Sequence, residues 1–269
     1  MRLPLFILLC IAVILSSCSE YQQVLRKDDA GKKYAFADSL YQMGKYRKSL
    51  KLMEQIVPAY RGKPQGEKLM FIYANTYYNL EDYFLSGYQF ERFTQAYPQS
   101  DSVEVASFKS AKSFYHLSPR FSLDQKDTDK GLEKLQEFIN LYPNSEERIE
   151  ANALVAELRE KLETKEFKTA KQYLHIEDYK AAIEAFDNFI TDNPGSIYRK
   201  DAFYNRYVAS YKLAINSIPT LVQERLVTAK GYYKNFMKYY EDTDVAADAA
   251  EIYQDIERRI VTTEIEPTS

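Results

Sequence analysis

The chain has 269 residues, of which 45% are hydrophobic and only eight are glycine, so it is long enough to bury a substantial core. Its formal net charge of −3 provides no positive field of the kind that binds nucleic acid. Alternation of apolar and polar residues between turn residues is hard to find, so we expect helices and no sheet. Tyrosine is frequent, at 24 residues against no tryptophan, and we expect most of these rings to pack between helices.

The first 18 residues predict a bacterial lipoprotein signal. Arg2 is followed by an apolar run over residues 3–15, which is too short to span a bilayer as a stable helix but suits the core of a signal peptide. The sequence Leu-Ser-Ser-Cys at residues 15–18 resembles a lipobox, whose cysteine thiol takes the lipid. We therefore predict a signal peptide at residues 1–17 and lipid attachment at Cys18.

An ordinary secretory signal with a coincidental cysteine is the alternative. The cysteine count favours the lipid, because Cys10 leaves with the signal and Cys18 is acylated, so that the mature chain keeps neither a free thiol nor a disulfide. The stretch that follows is polar apart from Val24 and Leu25. It predicts a lipidated tether over residues 18–30 that becomes ordered near Gly31.

One pattern of apolar residues recurs five times after this tether. In the clearest copy, which begins at Tyr179, apolar residues at offsets 0, +3, +7 and +10 share one face of a helix, and Pro194 follows where the helix must end. A second helical segment precedes each copy and is separated from it by a short turn. Similar landmarks recur around Tyr46, Tyr83, Leu135 and Leu226.

These helix–turn–helix units resemble the tetratricopeptide repeat. Ala170 provides the small residue of that motif, Ala182 and Phe186 its A-x-x-x-F step, and Pro194 its late proline. The resemblance implies an all-α fold, a superhelical solenoid of about five tetratricopeptide-like helix pairs. Repeats one to three are assigned to residues 31–143, repeats four and five with a long connecting helix to residues 144–260, and a disordered tail to residues 261–269.

The regular pattern breaks in two places. Residues 118–127 stand where a tight turn is expected, which indicates an insertion within the third repeat. Residues 146–174 predict one extended helix, or two with a bend, that joins the third repeat to the fourth. Charged positions on this helix, such as Glu157, are interpreted as a solvated face.

Several of these features occur in a distinctive order: a lipobox cysteine, a short polar segment, five repeats, the insertion Phe-Ser-Leu-Asp-Gln-Lys-Asp-Thr at residues 121–128, and the sequence Leu-Arg-Glu-Lys-Leu at residues 158–162. This order resembles the BamD family of outer-membrane lipoproteins over nearly the whole mature chain. The resemblance implies an accessory of the machinery that folds β-barrel proteins into the outer membrane. It also implies a lipid-anchored protein whose repeats face the periplasm, and three kinds of partner: a BamA-like barrel subunit, other assembly-complex members, and unfolded outer membrane protein segments.

The repeats predict a peptide-binding groove. In such arrays the first helix of each pair lines the concave face and carries exposed side chains near its turn, an arrangement that suits an extended peptide with alternate aromatic residues. The alternative is that half of these side chains pack against the neighbouring helix. The predicted groove residues are Tyr34, Asp38, Tyr41, Phe71, Asn75, Tyr78, Phe108, Lys112 and Tyr115.

A partner-docking surface is predicted in the fifth repeat, which lacks a terminal proline and carries more rings than one helix face needs. Uncovered, these rings would expose apolar area, so repeats three to five are predicted to dock a folded partner while repeats one and two remain free for substrate. The alternative is that the final helix, over residues 245–260, folds back and buries the rings. The predicted docking residues are Tyr232, Tyr233, Phe236, Tyr239 and Tyr240.

An enzyme is disfavoured by the pattern of polar residues. The two histidines, His116 and His175, have no partner at metal-ligand spacing, and neither a Gly-rich phosphate loop nor a G-x-S-x-G elbow occurs. We predict no catalytic residue, cofactor or metal. Another lipid-anchored helical-repeat protein, such as a SusD-like nutrient-capture or envelope-adaptor lipoprotein, is the alternative function, although SusD-type chains are far longer and carry large insertions.

Overall fold

The computed structural model describes residues 20–265, with side chains described for residues 20–260. Twelve helices and no strand occur in this range, which confirms the all-α prediction, and none of these helices is long and apolar enough to cross a membrane. The predicted signal peptide and Cys18 lie outside the described residues. The helices are α1 (20–26), α2 (Ala30–Gln42), α3 (Tyr46–Tyr60), α4 (Pro64–Asn79), α5 (Tyr83–Ala96), α6 (Val103–Leu117), α7 (Lys126–Leu141), α8 (Arg148–His175), α9 (Tyr179–Asp192), α10 (Arg199–Ile215), α11 (Pro219–Tyr240) and α12 (Ala246–Ile265).

Tight turns of the same backbone form connect the helices of three pairs. Gly44, Glu81 and Glu177 each occupy the left-handed region, with φ of 70°, 61° and 65°. A residue in this conformation ends a helix and reverses the chain, so that the second helix packs back on the first. Five helix pairs, from α2 with α3 to α10 with α11, follow one another as the repeats predict, and three of them carry the left-handed turn.

The residue after each of these turns stands at the start of the second helix. The Asp82 carboxylate accepts a hydrogen bond from the backbone N–H of Leu85 at 3.2 Å, and the Asp178 carboxylate accepts one from Ala181 at 3.2 Å. These aspartates satisfy N–H groups that the helix itself leaves unpaired. Lys45 takes the equivalent position before α3 and provides no side-chain cap.

The described chain forms two compact units, and their boundary lies inside α8. The first unit contains residues up to 119 together with 124–158, and the second contains 120–123 together with residues from 159 onward. Helix α8, over the segment that was predicted to connect the third repeat to the fourth, runs unbroken for 28 residues. Ala151, Leu154 and Leu158 of α8 pack in a core of the first unit, so the units divide within α8 and not at the assigned end of the third repeat.

The first unit is built around three apolar clusters that follow one another along the helix pairs. Small residues at matching positions let the helices of a pair approach closely. Ala37 and Ala74 are fully buried, and their carbonyl oxygens accept hydrogen bonds from Ser49 Oγ at 2.7 Å and from Ser86 Oγ at 3.4 Å. The repeat is therefore visible in buried polar contacts as well as in its apolar pattern.

The second unit has a single cluster, which α8, α9, α10, α11 and α12 all supply. Phe186, Tyr207 and Phe236 are fully buried in it. The Tyr207 hydroxyl donates a hydrogen bond to the Ala249 carbonyl at 3.2 Å, which fixes α12 against α10. Helix α12 continues to Ile265, so the prediction of a disordered tail is wrong for residues 261–265.

The predicted tether is also wrong over its described part. Residues 20–26 form α1, and Tyr21 is only 6% exposed in the first core cluster. Val24 and Leu25 pack against the same cluster. The isolated apolar residues of this polar stretch share one helix face, and their burial fixes the chain from Tyr21 onward.

Candidate functional site

The predicted groove residues lie on α2, α4 and α6, and side chains of successive helices contact one another across them. Lys68 Nζ of α4 donates to Asp38 Oδ2 of α2 at 2.6 Å, and this hydrogen bond raises the pKa of Lys68. Lys109 of α6 donates to the amide oxygen of Asn75 on α4. Burial lowers the pKa of Lys109, since its partner is neutral.

The same arrangement continues from α6 to the first turns of α8. Lys112 Nζ donates to Glu150 Oε1 at 2.5 Å, which raises the pKa of Lys112. The Tyr115 hydroxyl donates to Glu157 Oε2 at 2.5 Å, and this hydrogen bond, with burial second, raises the pKa of Tyr115 to about 12. Each lysine or tyrosine is thus held in place by an acceptor on the first helix of a neighbouring pair.

Aromatic rings gather at the turn end of α4 and α6. The His116 ring stacks on Tyr83 with centroids 4.3 Å apart, and its Nε2 lies 3.4 Å from the Tyr78 hydroxyl. Lys109 Nζ lies 5.5 Å from the centre of the Tyr78 ring, within the range of a cation–π contact. These groups form an aromatic cluster that remains partly open to solvent.

The other aromatic groove residues are half-buried. The Tyr34 ring stacks on Tyr60 at 5.2 Å, and the Tyr41 ring lies 5.6 Å from that of Tyr46. Phe71 meets the ring of Phe93 edge-on at 5.4 Å. Each ring therefore packs against another ring of its own repeat and stays partly accessible.

Two of the predicted groove residues are not exposed. Phe108 is 5% exposed and packs in the core, with its ring 5.2 Å from that of Phe138. Asn75 is 3% exposed, because Lys109 covers its amide oxygen and its amide nitrogen donates to the Phe71 carbonyl at 3.2 Å. The prediction that these two side chains line an open groove is wrong.

The remaining seven predicted residues, with the partners they contact, form what we call the polar-aromatic face of the first unit. Several of these partners are not indicated by the helical pattern of the sequence, in which His116 stands out only as a potential metal ligand. The signal that could have identified them is the spacing between contacting residues, from 30 for Asp38 and Lys68 to 42 for Tyr115 and Glu157, which is about one repeat. The missed partners are Lys68, Tyr83, Lys109, His116, Glu150 and Glu157.

The face combines half-buried rings with fixed donors and acceptors. Rings of this kind bind apolar side chains, and charged groups held by a partner can bind backbone amides without a large loss of side-chain freedom. No group of three or more potential metal-ligating side chains occurs within the described range. The arrangement is therefore suited to holding a polypeptide.

The predicted docking rings of the second unit are mostly covered by the chain itself. Phe236 is fully buried, and Tyr233 stacks on Tyr253 of α12 with centroids 4.3 Å apart. Tyr240 packs against the second-unit core, and only Tyr239 is exposed, at 59%. Helix α12 contributes Ala249 and Ile256, both fully buried, to the same core cluster, as the alternative expects, and the docking of a partner stays a prediction.

Tyr232 contacts the buried Arg206 and its ion-pair partner Asp187. Its ring lies 4.4 Å from the guanidinium of Arg206, and its hydroxyl donates to Asp187 Oδ2 at 3.3 Å. Arg206 is 6% exposed and forms an ion pair with Asp187. Its guanidinium also lies 4.9 Å from the ring of Phe203, so two rings flank the buried cation. Tyr232 therefore stabilises α9, α10 and α11 against one another.

Comparison with known proteins gives a consistent result. The chain matches the family model described as YfiO, outer membrane lipoprotein, over residues 26–221. It is 24% identical over 126 residues to an outer membrane protein assembly factor BamD of Caulobacter vibrioides, covering 47% of this chain and 41% of the relative. It is 25% identical over 152 residues to one of Helicobacter pylori, covering 54% and 66%. The chain thus spans less than two thirds of the length of these curated relatives.

Among solved structures, the chain is similar to the TPR2AB domain of yeast Sti1 in a pHSP90 complex. The two share 13% identity with a TM-score of 0.40, covering 85% of this chain and 98% of that one. The family model covers well over half of the chain, from the end of α1 to the start of α11. The chain therefore belongs to the YfiO family of outer membrane lipoproteins.

Proposed function

We propose that this chain is a non-enzymatic, lipid-anchored scaffold that takes part in folding and inserting outer membrane proteins. Its membership of an outer membrane lipoprotein family supports this role, and the matched relatives are named as outer membrane protein assembly factors. In this proposal a lipid on Cys18 holds the chain at the outer membrane, with its helices in the periplasm. Unfolded outer membrane protein segments bind to the first unit.

The polar-aromatic face is the observation that carries the proposal. A segment of an outer membrane strand has alternating apolar and polar residues, so an extended segment can place alternate side chains against the half-buried rings of Tyr41 and Tyr78. Its backbone amides can reach the charged groups beside them. Ion pairs such as that between Lys68 and Asp38 hold these groups before the segment arrives.

A peptide-binding experiment tests this face. The probe is a labelled peptide with aromatic residues at alternate positions, compared with the same peptide carrying serine at those positions. Replacing Tyr41→Ala and Tyr78→Ala together should weaken binding of the aromatic peptide by roughly tenfold or more, the effect of losing central aromatic contacts.

The control removes two rings elsewhere on the first unit. Phe84 and Tyr88 of α5 are 66% and 50% exposed, so Phe84→Ala with Tyr88→Ala makes a comparable change outside the proposed site. Circular dichroism establishes that both double variants stay folded. Unchanged peptide affinity in the Tyr41 and Tyr78 variant, or an equal loss in the control, would exclude the polar-aromatic face as the binding site.

In the same proposal the second unit docks a BamA-like barrel subunit and other assembly-complex members. Since four of the five predicted rings are packed, we propose that the docking surface includes the end of α11 and the loop before α10, where Tyr239 and Ile197 are exposed. Ile197→Ser with Tyr239→Ala should reduce co-purification of the barrel subunit from membranes. Ile149→Ser with Tyr88→Ala in the first unit is the matched control, and equal recovery of the subunit with both variants would refute the assignment.

The lipid anchor has a direct test. Cys18→Ser should yield an uncleaved or soluble chain whose helices still form, because no described core contact depends on residue 18. Mass spectrometry of the mature protein from membranes should find an acylated cysteine at its N-terminus. A mature N-terminus at another residue would contradict the anchor.

A further inference from the structure

The N-terminal end of the first unit is fixed close to the proposed lipid attachment. The ring of Tyr21 lies 6.5 Å from that of Phe36, and its hydroxyl donates to the Lys48 carbonyl at 3.4 Å. Tyr21 comes only three positions after Cys18, and three residue steps span at most about 10 Å. A lipid on Cys18 would therefore hold α1, and the helices packed on it, at the membrane surface. This step rests on the proposed lipid anchor.

Charge is distributed unevenly along the chain, with the positive part at this end. Residues 20–51 contain eight basic and four acidic residues, a net charge of +4, whereas residues 52–269 contain 27 basic and 35 acidic residues, a net charge of −8. The basic segment corresponds to α1, α2 and the first part of α3. The chain as a whole is acidic, so this end differs in sign from the rest.

Three of these basic side chains border one surface depression. Lys45, Arg47 and Lys48 line it together with Tyr46 and other residues of the first and second pairs, and its volume is about 510 Å³. No acidic group among the described residues lies within ion-pair distance of these three side chains, although most other inter-helix lysines of this unit are paired. The depression thus concentrates positive charge that the protein itself does not neutralise.

The depression lies next to α1, the first helix of the described chain. Lys48 Nζ lies 5.3 Å from the centre of the Tyr21 ring, so the basic side chains are next to the residue that the anchor would hold at the membrane. Clusters of lysine and arginine beside a membrane attachment bind anionic lipids, at about 1 kcal/mol for each basic residue.

We propose that the basic depression formed by Lys45, Arg47 and Lys48 binds anionic phospholipid headgroups of the membrane that carries the anchor. The contact would fix the orientation of the first unit and add to the affinity that the lipid provides. An acidic polypeptide would also be attracted to these basic side chains. The chain between Tyr21 and Cys18 is short, however, so the anchor would hold the depression next to the lipid headgroups. Phospholipid is therefore the ligand that the arrangement favours.

Vesicle sedimentation with a chain that begins at residue 18 and carries Cys18→Ser tests this surface. Such a chain keeps every described residue but has no lipid, so vesicle binding reports the protein surface alone. It should bind vesicles of phosphatidylglycerol and phosphatidylethanolamine at low salt and leave phosphatidylcholine vesicles unbound. Lys45→Gln, Arg47→Gln and Lys48→Gln together should lower the partition coefficient roughly a hundredfold, from about fivefold for each charge.

The control changes three exposed lysines of the second unit that have no ion pair among the described residues. The substitutions are Lys168→Gln, Lys180→Gln and Lys212→Gln, and they lower the net charge by the same amount as the triple variant of the depression. Equal loss of binding in this control, binding to phosphatidylcholine vesicles, no binding to either vesicle, or tighter binding to poly-glutamate than to anionic vesicles would each overturn the proposal. Acylation of Cys18 is measured separately by mass spectrometry. A chain that is not acylated would refute the anchor, whereas selective vesicle binding would still show the basic surface.

Discussion

At the residue scale, His116 illustrates how the polar-aromatic face changes the pKa of a side chain. Burial lowers the pKa of His116, Lys112 on the same helix lowers it further, and Glu81 opposes them. The rings of Tyr78, Tyr83 and Tyr115 complete its surroundings. The folded protein therefore favours the neutral imidazole, while the unfolded chain takes up a proton near the ordinary pKa of about 6.5.

This difference predicts a pH dependence of stability. Because the unfolded state binds more protons below about pH 6.5, the free energy of unfolding should fall as the pH drops through that value, and this contribution should be absent in His116→Gln. Urea unfolding at several pH values measures it. NMR should give a pKa for His116 below 6.5 that rises in Lys112→Met, and with only two histidines in the chain the signal can be assigned with His175→Gln. A pKa at or above 6.5 would contradict the argument.

The partners of individual side chains were the least predictable part of the candidate site. Helical periodicity identifies which positions of α4 and α6 point away from their own pair, and Tyr78 and Lys112 were found in this way. Helical periodicity does not specify which residue of the next pair contacts these side chains, because the contact depends on how far each helix is rotated and shifted relative to its neighbour. Phe108 shows the limit, since one face of α6 supplies both core and surface residues and a small rotation decides between them.

At the scale of the helices, Lys45 is an exception among the three equivalent turns. Its backbone has φ of −83° and ψ of 54°, close to −82° and 73° at Asp82 and −80° and 74° at Asp178. Helix α3 has no acidic residue in its first turn and no side-chain cap. The backbone there is already in the capping conformation, but the side chain is a cation at the positive end of the helix.

Replacing Lys45→Asp should therefore stabilise the protein by about 1 kcal/mol, because the carboxylate can accept a hydrogen bond from the first turn of α3. Asp82→Ala should destabilise it by about the same amount, because it removes the bond to the N–H of Leu85. Thermal and urea unfolding of both variants measure these effects. Lys45→Ala serves as the control for removing the charge alone, and a stability of Lys45→Asp no higher than that of Lys45→Ala would show that no cap forms.

The terminal helices were predicted less well than the repeats. The five pairs have long periodic segments and defined turns, which is why their bounds agree with the sequence pattern within a few residues. Helix α1 has few apolar residues, and only their contact with α2 and α3 identifies them as core. The apolar residues of α12 were recognised from the sequence, but only the packing shows that Tyr253 of α12 stacks on Tyr233.

At the scale of the whole molecule, the two units have separate cores. The clusters of the first unit contain residues up to Leu158, and that of the second unit begins at Phe167. Peptide capture is proposed for the first unit and partner docking for the second. The separation of cores predicts that one activity can be damaged while the other persists.

Phe236→Ala tests this prediction, because the ring is fully buried in the second core and its loss should destabilise that unit by about 3–5 kcal/mol. Hydrogen exchange should become faster in α9, α10 and α11 while protection in α2, α3 and α4 stays as in the unchanged chain. The reciprocal variant is Phe93→Ala, whose ring is fully buried in the first unit, and it should accelerate exchange in α4 and α5 instead. Faster exchange throughout the chain with either variant would mean that the units unfold together, and the two proposed binding activities would then be lost together as well.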